Sequence, residues 1–395
     1  MIVLKNARLI SCLTEGYEGQ NADIVINGKE IAEIVPCGSK EYGDVTCYDL
    51  QGKTVMPGLF DLHAHLFYMN DNWEYLRTRP VNQYLMECAE YARAYLKLGY
   101  TTIRDVGGDF GAAITVRDYV ASGLLTGARV IASGKIIAPT EKGNYTWGNV
   151  YHEADDPVSV RKAVREEIAA GADFIKYMAT GAVLNQGSVP GVFISSAEEL
   201  QAVVEAAESR GTYVASHCHG TQGINECIKA GIRTIEHSSY MTEESVELIV
   251  KYGNRTAIVP TLAGCHMVSQ NLTVLPEEYM IKCRHALNHM GESVRLSLEG
   301  GVLIGFGTDL PMVQMLKHPG IEFAARTPFG FSNETLLQQA TINSAKIAGV
   351  ADKLGTVCVG KYADLLVIDG KPDVDITCMQ KFPNMVFKEG KLFTE

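Results

Sequence analysis

Eight strand-like apolar runs, separated by helical stretches, fill the long central part of this chain, and this alternation restricts its fold more than any other feature. The runs occupy 58–65, 101–106, 129–137, 173–178, 213–219, 233–237, 256–260 and 302–309. Strands that alternate with helices form parallel sheets, so the sequence predicts an α/β fold, a (β/α)8 TIM barrel. The alternative is an open doubly wound sheet, which normally has a glycine fingerprint after its first strand, and this chain has none.

Start signals mark two of the predicted helices. Pro157 directly follows Asp156, which is the arrangement of an N-cap and a first helical residue. Ser196 and Glu199 have the spacing of a capping box ahead of an apolar run. We therefore expect helices to begin at both places, between the fourth barrel strand and its neighbours.

Both ends of the chain have a different, β-rich pattern. Asn27-Gly28 separates two short strand-like runs, which is a strong hairpin signal. Similar runs occur at 361–368 and 385–391. A single core rarely grows beyond ~250–300 residues, so a chain of 395 residues is expected to contain two domains. We expect a barrel at 58–345 and a small β-sandwich domain built from 1–57 plus 346–395.

Charge and composition exclude several classes of protein. The 46 acidic residues outnumber the 35 lysines and arginines and give a net charge of −11, whereas a nucleic-acid binder needs basic patches. No apolar run reaches the ~18–20 residues that span a bilayer, and Lys5 and Arg8 fall where a signal peptide keeps its apolar core. The ten cysteines are scattered, with no Cys-x-x-Cys pair, as is typical of reduced core residues. These features predict a cytoplasmic protein without nucleic-acid or membrane partners.

Polar residues of metal-binding type end five of the eight predicted strands. His63 and His65 are two residues apart on the first strand, so both side chains point to one face and can bind one ion. The others are Lys176 on the fourth strand, His217 and His219 on the fifth, His237 on the sixth and Asp309 on the eighth. Barrel active sites lie at the C-terminal ends of the strands, so these residues predict a metal site there. A lone buried lysine is costly, which disfavours a purely structural role for Lys176.

The sequence resembles the amidohydrolase superfamily over nearly its whole length. The matching motifs are MPGLFDLHAH at 56–65 and KYADL at 361–365. Within the superfamily it is most similar to the imidazolonepropionase-like branch, which contains Xaa-Pro and other Xaa dipeptidases. The branch-like stretches are TIRDVGG at 102–108, IKYMATG at 175–181 and IEH at 235–237, followed by Tyr240.

The resemblance implies a centre of two divalent metal ions. One ion would be held by His63, His65 and Asp309, the second by His217 and His237, and a carbamate on Lys176, formed with carbon dioxide, would bridge both. Carboxylation turns the ammonium group of lysine into an anionic ligand with two oxygens, which suits a bridge between cations. Imidazole and carboxylate ligands favour zinc, with manganese, iron or nickel as substitutes.

The reaction implied by the resemblance is amide hydrolysis. A metal-bridged hydroxide attacks the carbonyl carbon, and Asp309 takes its proton and later returns it to the leaving amine. His219 shares the strand face of His217, and we expect it either to stabilise the oxyanion and contact the substrate or to orient a ligand. Tyr240 is expected to polarise the carbonyl or to hold a substrate carboxylate, and the alternative is a wall of the pocket.

Aromatic residues on the long loops predict that part of the substrate is apolar or aromatic. The loops carry Tyr68, Trp73, Tyr145, Trp147 and Tyr151. Many relatives have a Gly-Gly-His-Gly stretch after the third strand, whereas this chain has EKGNY at 141–145. If that histidine binds substrate in relatives, Lys142 or Asn144 replaces it here, or nothing does. The expected substrate contacts are Tyr68, Asn144, Tyr145, His219 and Tyr240.

Four functions remain open from the sequence. The leading one is a binuclear metal hydrolase that cleaves an amide bond of a small substrate such as a dipeptide or N-acyl amino acid. A second is hydrolysis of a cyclic, imidazolone-like amide or deamination, but those relatives usually lack the bridging lysine, so Lys176 counts against it. A third is an esterase or lactonase, and a fourth is a non-catalytic scaffold, which would typically lose ligands. The expected partners are a small-molecule substrate and, by analogy with relatives, further copies of the chain.

Overall fold

The computed structural model describes residues 1–70 and 72–394 and has a mixed α/β fold. Glu395, the last residue of the predicted terminal domain, lies outside the described residues, as does Asp71, which follows the first predicted strand. The strands are β1 (Ile2–Leu9), β2 (Asn21–Asn27), β3 (Glu30–Pro36), β4 (Thr46–Asp49), β5 (Thr54–Pro57), β6 (Leu59–Ala64), β7 (Tyr100–Asp105), β8 (Arg129–Ala132), β9 (Ile136–Ala138), β10 (Tyr151–Glu153), β11 (Ile175–Met178), β12 (Val214–Cys218), β13 (Thr234–His237), β14 (Ala257–Val259), β15 (Leu365–Ile368), β16 (Met385–Lys388) and β17 (Lys391–Leu392).

Helices follow most of the central strands. They are α1 (Trp73–Thr78), α2 (Val81–Lys97), α3 (Ala112–Ala121), α4 (Pro157–Ala169), α5 (Ala197–Glu208), α6 (Thr221–Ala230), α7 (Glu243–Lys251), α8 (Ala263–Ser269), α9 (Glu277–Glu299), α10 (Met312–Lys317), α11 (Ile321–Arg326), α12 (Asn333–Gln338) and α13 (Ser344–Ile347). A π-helical turn at Gln339–Asn343 joins α12 to α13, and short 3-10 helices occupy Ser11–Leu13, Asn144–Trp147, Thr327–Phe329 and Ile376–Gln380.

Both helix starts predicted from the sequence are confirmed. The side chain of Asp156 accepts hydrogen bonds from the backbone N–H groups of Val158 and Ser159, with Pro157 at the first helical position of α4. Ser196 caps α5 in a capping box with Glu199. These caps satisfy backbone N–H groups that have no partner within the first turn of a helix.

A six-stranded parallel sheet carries half of the predicted metal ligands. Its strand order is β10-β9-β11-β12-β13-β14. The register places Met178 beside His217, and Cys218 beside His237. Parallel strands bring their carboxyl ends to one edge, so the polar residues that end β11, β12 and β13 become neighbours.

Hydrogen bonds continue this parallel arrangement beyond the regular ladders. β6, β7 and β8 form a three-stranded sheet. The amide of Leu62 donates to the carbonyl of Phe306 at 2.7 Å, and the amide of Gly305 donates to the carbonyl of Ile258 at 2.9 Å. The predicted strand at 302–309 is therefore an extended segment with one isolated bridge, Ile258 to Ile304, rather than a continuous strand.

The predicted strand at 129–137 is also interrupted. It is divided into β8 and β9 by three residues that include Gly134, whose φ is +75°. This left-handed conformation breaks a strand and costs glycine little, because glycine has no Cβ. The sequence carries a signal for this break, because Ser133, Gly134 and Lys135 interrupt the apolar run.

The two ends of the chain form a sheet of their own. Its main order is β17-β16-β15-β5-β1-β2-β3, with β4 paired to β1. The hairpin predicted at Asn27-Gly28 is confirmed, because β2 and β3 pair antiparallel on either side of Gly28, which has a φ of +60°. A buried apolar cluster that includes Leu4, Ile24 and Phe387 covers one face of this sheet.

The described chain divides into two compact units. The first consists of Met1–Asp61, Arg93–Thr102 and Met315–Glu395, and the second of Leu62–Ala92 and Ile103–Gln314. All predicted metal ligands belong to the second unit, and the predicted domain boundaries after 57 and 345 stay a prediction. Within the described residues, no helix combines the length and the apolar character that a membrane span requires.

Candidate metal centre

The structure gathers the predicted ligands into two adjoining clusters. One consists of His63, His65 and Asp309, the other of His217, His219 and His237, and within each the ligand atoms lie within 4.8 Å of one another. The two clusters touch, since the ring centres of His63 and His237 are 4.7 Å apart. His219 is predicted to contact the substrate or to orient a metal ligand. It is also close enough to His217 and His237 to bind an ion with them.

Lys176 lies in the same cavity. Its side chain is buried, with 2% of the residue exposed, and its Nζ has no hydrogen-bond partner among the described residues. Burial lowers the pKa of this lysine to about 8, although Glu236 and Asp309 act in the opposite direction. A lower pKa increases the fraction of neutral amine, which is the form that reacts with carbon dioxide. An unpartnered buried amine among metal-ligand residues therefore fits a carbamate bridge.

Hydrogen bonds to Nδ1 fix the orientation of four of the five histidine rings. His63 Nδ1 is 2.9 Å from Glu236 Oε2, His65 Nδ1 is 2.8 Å from the carbonyl oxygen of Gly107, His219 Nδ1 is 2.6 Å from Ser239 Oγ and His237 Nδ1 is 2.7 Å from Thr261 Oγ1. A carboxylate and a carbonyl only accept, so His63 and His65 donate from Nδ1 and keep Nε2 as a lone-pair ligand. This second layer of contacts fits a metal centre.

Burial keeps the imidazoles neutral. It lowers the pKa values of His63, His217 and His237 well below their ordinary value, in each case with a smaller contribution from neighbouring cations. Burial also lowers the pKa of His65 to about 4 and that of His219 to about 3. Neutral imidazole is the form that binds metal, so these rings are ready to bind an ion at neutral pH.

A buried ion pair behind His63 was not predicted from the sequence. Arg104 Nη2 lies 2.7 Å from Glu236 Oε1, and both side chains are 0% exposed. Burial disfavours the charged form of Glu236, but Arg104 and His63 outweigh it and lower the pKa of this carboxyl to about 2. The sequence carries one signal for this pair: Arg104 and Glu236 have opposite charges and lie inside apolar strand runs. Buried charges need partners, so two such residues can be expected to pair.

The backbone is strained at two ligand positions. His237 has a φ of 67° and Asp309 a φ of 53°, in the left-handed region that side chains other than glycine rarely adopt. Such residues cost about 1–3 kcal/mol each and persist where the surrounding structure holds them. The strain turns the chain at the ends of strands, where both side chains face the cavity.

The candidate ligands line a cavity of about 1140 Å³, including its open mouth. Most of its wall is apolar or aromatic, formed by residues such as Phe67, Tyr68, Trp147, Tyr151, Met178, Leu184, Met267, Leu275 and Met290. Of the predicted substrate contacts, Tyr68 and His219 line the cavity. Trp147 lines it from the 3-10 helix at Asn144–Trp147.

The other predicted substrate contacts are not among the described residues that line this cavity. Asn144 is buried and donates from Nδ2 to the carbonyl of Pro139 and to Glu153. Tyr145 is exposed, and its hydroxyl donates to Gln186. The hydroxyl of Tyr240 lies 2.9 Å from Nδ1 of His285. Their roles toward substrate stay predictions.

Comparison with known proteins decides the family. The amidohydrolase family matches residues 54–393. The chain belongs to the amidohydrolase family. This confirms the resemblance predicted from the motifs at 56–65 and 361–365, and amidohydrolase family members are typically metal-dependent enzymes acting on small substrates.

Individual relatives agree with this amidohydrolase assignment. Ochratoxinase from Aspergillus niger is 30% identical over 421 aligned residues, which cover 96% of this chain and 84% of that protein. Among solved structures, a Xaa-Pro dipeptidase with methionine bound in its active site has a TM-score of 0.88 and 29% identity, with 100% of both chains covered. The crystal structure of A. niger ochratoxinase has a TM-score of 0.85 and 26% identity, covering 99% of this chain and 95% of that one. Membership of this family supports hydrolase activity on amide bonds.

Proposed function

We propose that this protein is a metal-dependent hydrolase that cleaves the amide bond of a small substrate such as a dipeptide or an N-acyl amino acid. The observation that carries the proposal is the unpartnered Nζ of buried Lys176 between two clusters of metal-ligand side chains. A non-catalytic scaffold has no need to bury an amine there, because an unsatisfied buried polar group is destabilising. The related Xaa-Pro dipeptidase and ochratoxinase support amide substrates.

The proposed metal sites follow the two clusters. His63, His65 and Asp309 would hold one ion, His217 and His237 the second, and Lys176, as a carbamate, would contact both. Bound divalent ions, zinc being the expected metal, would supply an activated water and polarise the substrate carbonyl. The neutral histidines and the lowered pKa of Lys176 support this ligand set.

Asp309 is the proposed proton carrier. Its Oδ1 lies 3.7 Å from His65 Nε2 and 3.8 Å from His63 Nε2, so its carboxylate is close to both histidines of the first cluster. There it can accept the proton of the attacking water and later donate it to the leaving amine. His219 lines the same cavity and would contact the carbonyl oxygen of the substrate, whereas a catalytic role of Tyr240 requires its hydroxyl to leave His285.

We also propose that the parallel segments close into a (β/α)8 barrel with the ligands at its C-terminal ends. The segments would be β6, β7, β8 together with β9, β11, β12, β13, β14 and residues 302–309. Hydrogen bonds from Leu62 to Phe306, from Gly305 to Ile258 and from Asp173 to Ala132 support this order. The chain ends, 1–57 plus 346–395, would form the accompanying β-sandwich domain.

The test is a library of dipeptides and N-acyl amino acids, with lactones and a cyclic imidazolone for comparison, incubated with zinc-loaded protein. We expect release of free amine from at least one amide, and we expect Asp309→Asn to remove it. The exposed Asp44→Asn variant is the matched control and should keep full activity. Turnover of lactones alone, or of no compound, would overturn the proposed amide hydrolysis.

A further inference from the structure

The charge of the cavity wall is confined to the metal-ligand residues. Among the described residues that line the cavity, Lys176 is the single lysine or arginine, and Asp309 is the single acid. Apart from the histidines, the remaining polar residues of the wall are neutral; examples are Tyr151, Asn185 and Thr273. A negatively charged group of a substrate therefore has no cationic side chain to contact in the upper part of the wall.

Two cations that contact wall residues from outside the cavity, Lys282 and Arg79, are already paired with acids. The ammonium of Lys282 lies 2.6 Å from Glu278 Oε1 and also donates to the backbone carbonyl of Asn185. Arg79 pairs with Glu87 and donates from Nη2 to the backbone carbonyl of Phe67. Both cations thus bind backbone carbonyls of wall residues and are paired with an acid. A substrate carboxylate would have to displace an existing ion pair to reach them.

Three neutral polar residues of the wall are hydrogen-bonded to one another. Trp147 Nε1 donates to Asn185 Oδ1 at 2.9 Å, and Asn185 Nδ2 donates to the hydroxyl of Tyr151 at 3.3 Å. The ring of Trp147 is perpendicular to that of Tyr68, with centres 5.3 Å apart, and makes a similar contact with Phe67 at 6.1 Å. These contacts hold an aromatic surface in place next to the ligand clusters.

We propose that the natural substrate is an amide that carries no charge beyond its scissile group and has an aromatic or branched apolar part bound against Trp147. The inference rests on the proposed amide hydrolysis but departs from its two example substrates, because dipeptides and N-acyl amino acids both carry a free carboxylate, which fits this wall poorly. A carboxylate placed here would lose its hydration without gaining a charged partner. An uncharged apolar group would instead gain from leaving water.

A matched pair of substrates tests this inference. N-benzoyl-phenylalanine and N-benzoyl-phenylalaninamide share both aromatic rings and the same scissile amide, and they differ in the carboxylate. We expect zinc-loaded protein to release benzoate from the neutral compound with a kcat/KM at least ~10-fold higher, mainly through a lower KM. Equal values, or a preference for the carboxylate, would overturn the inference while leaving amide hydrolysis intact. Turnover of neither compound and of no library amide would overturn the proposed function, and the inference with it.

A variant with a new cation provides the second arm. Leu275 lines the cavity and is partly exposed, so Leu275→Arg adds a guanidinium at the mouth. We expect this variant to shift the ratio of kcat/KM values toward the carboxylate by at least ~10-fold, because Arg pairs well with carboxylates. Leu275→Gln is the control, because glutamine is polar like arginine but carries no charge, and it should leave the ratio of the two kcat/KM values unchanged. An unchanged ratio in Leu275→Arg would overturn the argument that the missing charge excludes carboxylates.

Discussion

Replacing Glu236 with glutamine tests how strongly the buried ion pair behind the metal ligands stabilises this protein. The carboxylate of Glu236 is fully used: it accepts from Arg104 at 2.7 Å, from Thr234 Oγ1 at 2.6 Å and from His63 at 2.9 Å. Glutamine would keep the shape but leave the guanidinium of Arg104 buried without a counter-charge. Removing one partner of such a pair costs about 3–5 kcal/mol, so we expect Glu236→Gln to lower the free energy of unfolding by that amount.

The assay is guanidinium chloride unfolding of protein freed of metal by a chelator, so that metal binding does not add to the measured stability. Glu292→Gln is the matched control, because its pair with Arg295 lies on the surface, and no resolvable change is expected. The double variant Arg104→Met with Glu236→Gln removes both charges and should recover much of the loss.

Glu236→Gln has a second readout, the affinity for zinc. Glu236 accepts from His63 Nδ1, and losing such a contact typically weakens metal binding ~10–100-fold, measurable by competition with a chelating dye. Exposed ion pairs contribute about 1 kcal/mol or less. A loss of stability in that range, together with unchanged zinc affinity, would show that the pair of Arg104 with Glu236 supports neither the fold nor the metal centre as predicted.

Three further predictions concern packing, the cavity wall and the cysteines. Gly307→Ala should lower the thermal unfolding temperature and weaken zinc binding, because the new Cβ would lie 2.7 Å from Cβ of His63; an unchanged melting curve would contradict this. Trp147→Ala should raise KM for aromatic amides ~10-fold in steady-state assays with little change in kcat, and an effect on kcat alone would disprove its binding role. A thiol reagent should label exposed Cys37 and Cys47 rapidly, and should label buried Cys88, Cys218 and Cys227 only after denaturation; rapid labelling of these three in the native protein would show the packing to be wrong.

The clustering of most candidate ligands was predictable because they lie on strands or directly after them. Side chains on a strand alternate between faces, so His63 and His65 had to point the same way, and parallel strands align their ends. The register of the six-stranded sheet then brings His217 close to His237 without any information from loops. Lys176 was predictable for the same reason, together with the cost of burying a lysine.

The contacts made by the loops were much less predictable. Asn144 and Tyr145 are predicted to contact substrate, and this stays a prediction; the residue of their 3-10 helix that lines the cavity is Trp147. A short 3-10 helix has no periodic pattern from which its exposed face can be read. The partner of Tyr240 was also hidden, because His285 is 45 residues away along the chain.

Measuring metal content with and without Lys176 tests whether this lysine helps to hold two metal ions. Wild-type protein and Lys176→Ala would be equilibrated with zinc and bicarbonate, desalted and measured for zinc per chain, with the exposed Lys162→Ala variant as control. We predict two zinc ions per chain in the wild type and in the control, and one or none in Lys176→Ala, with loss of amide hydrolysis. Two zinc ions per chain and full activity in Lys176→Ala would show that Lys176 is not a bridging ligand.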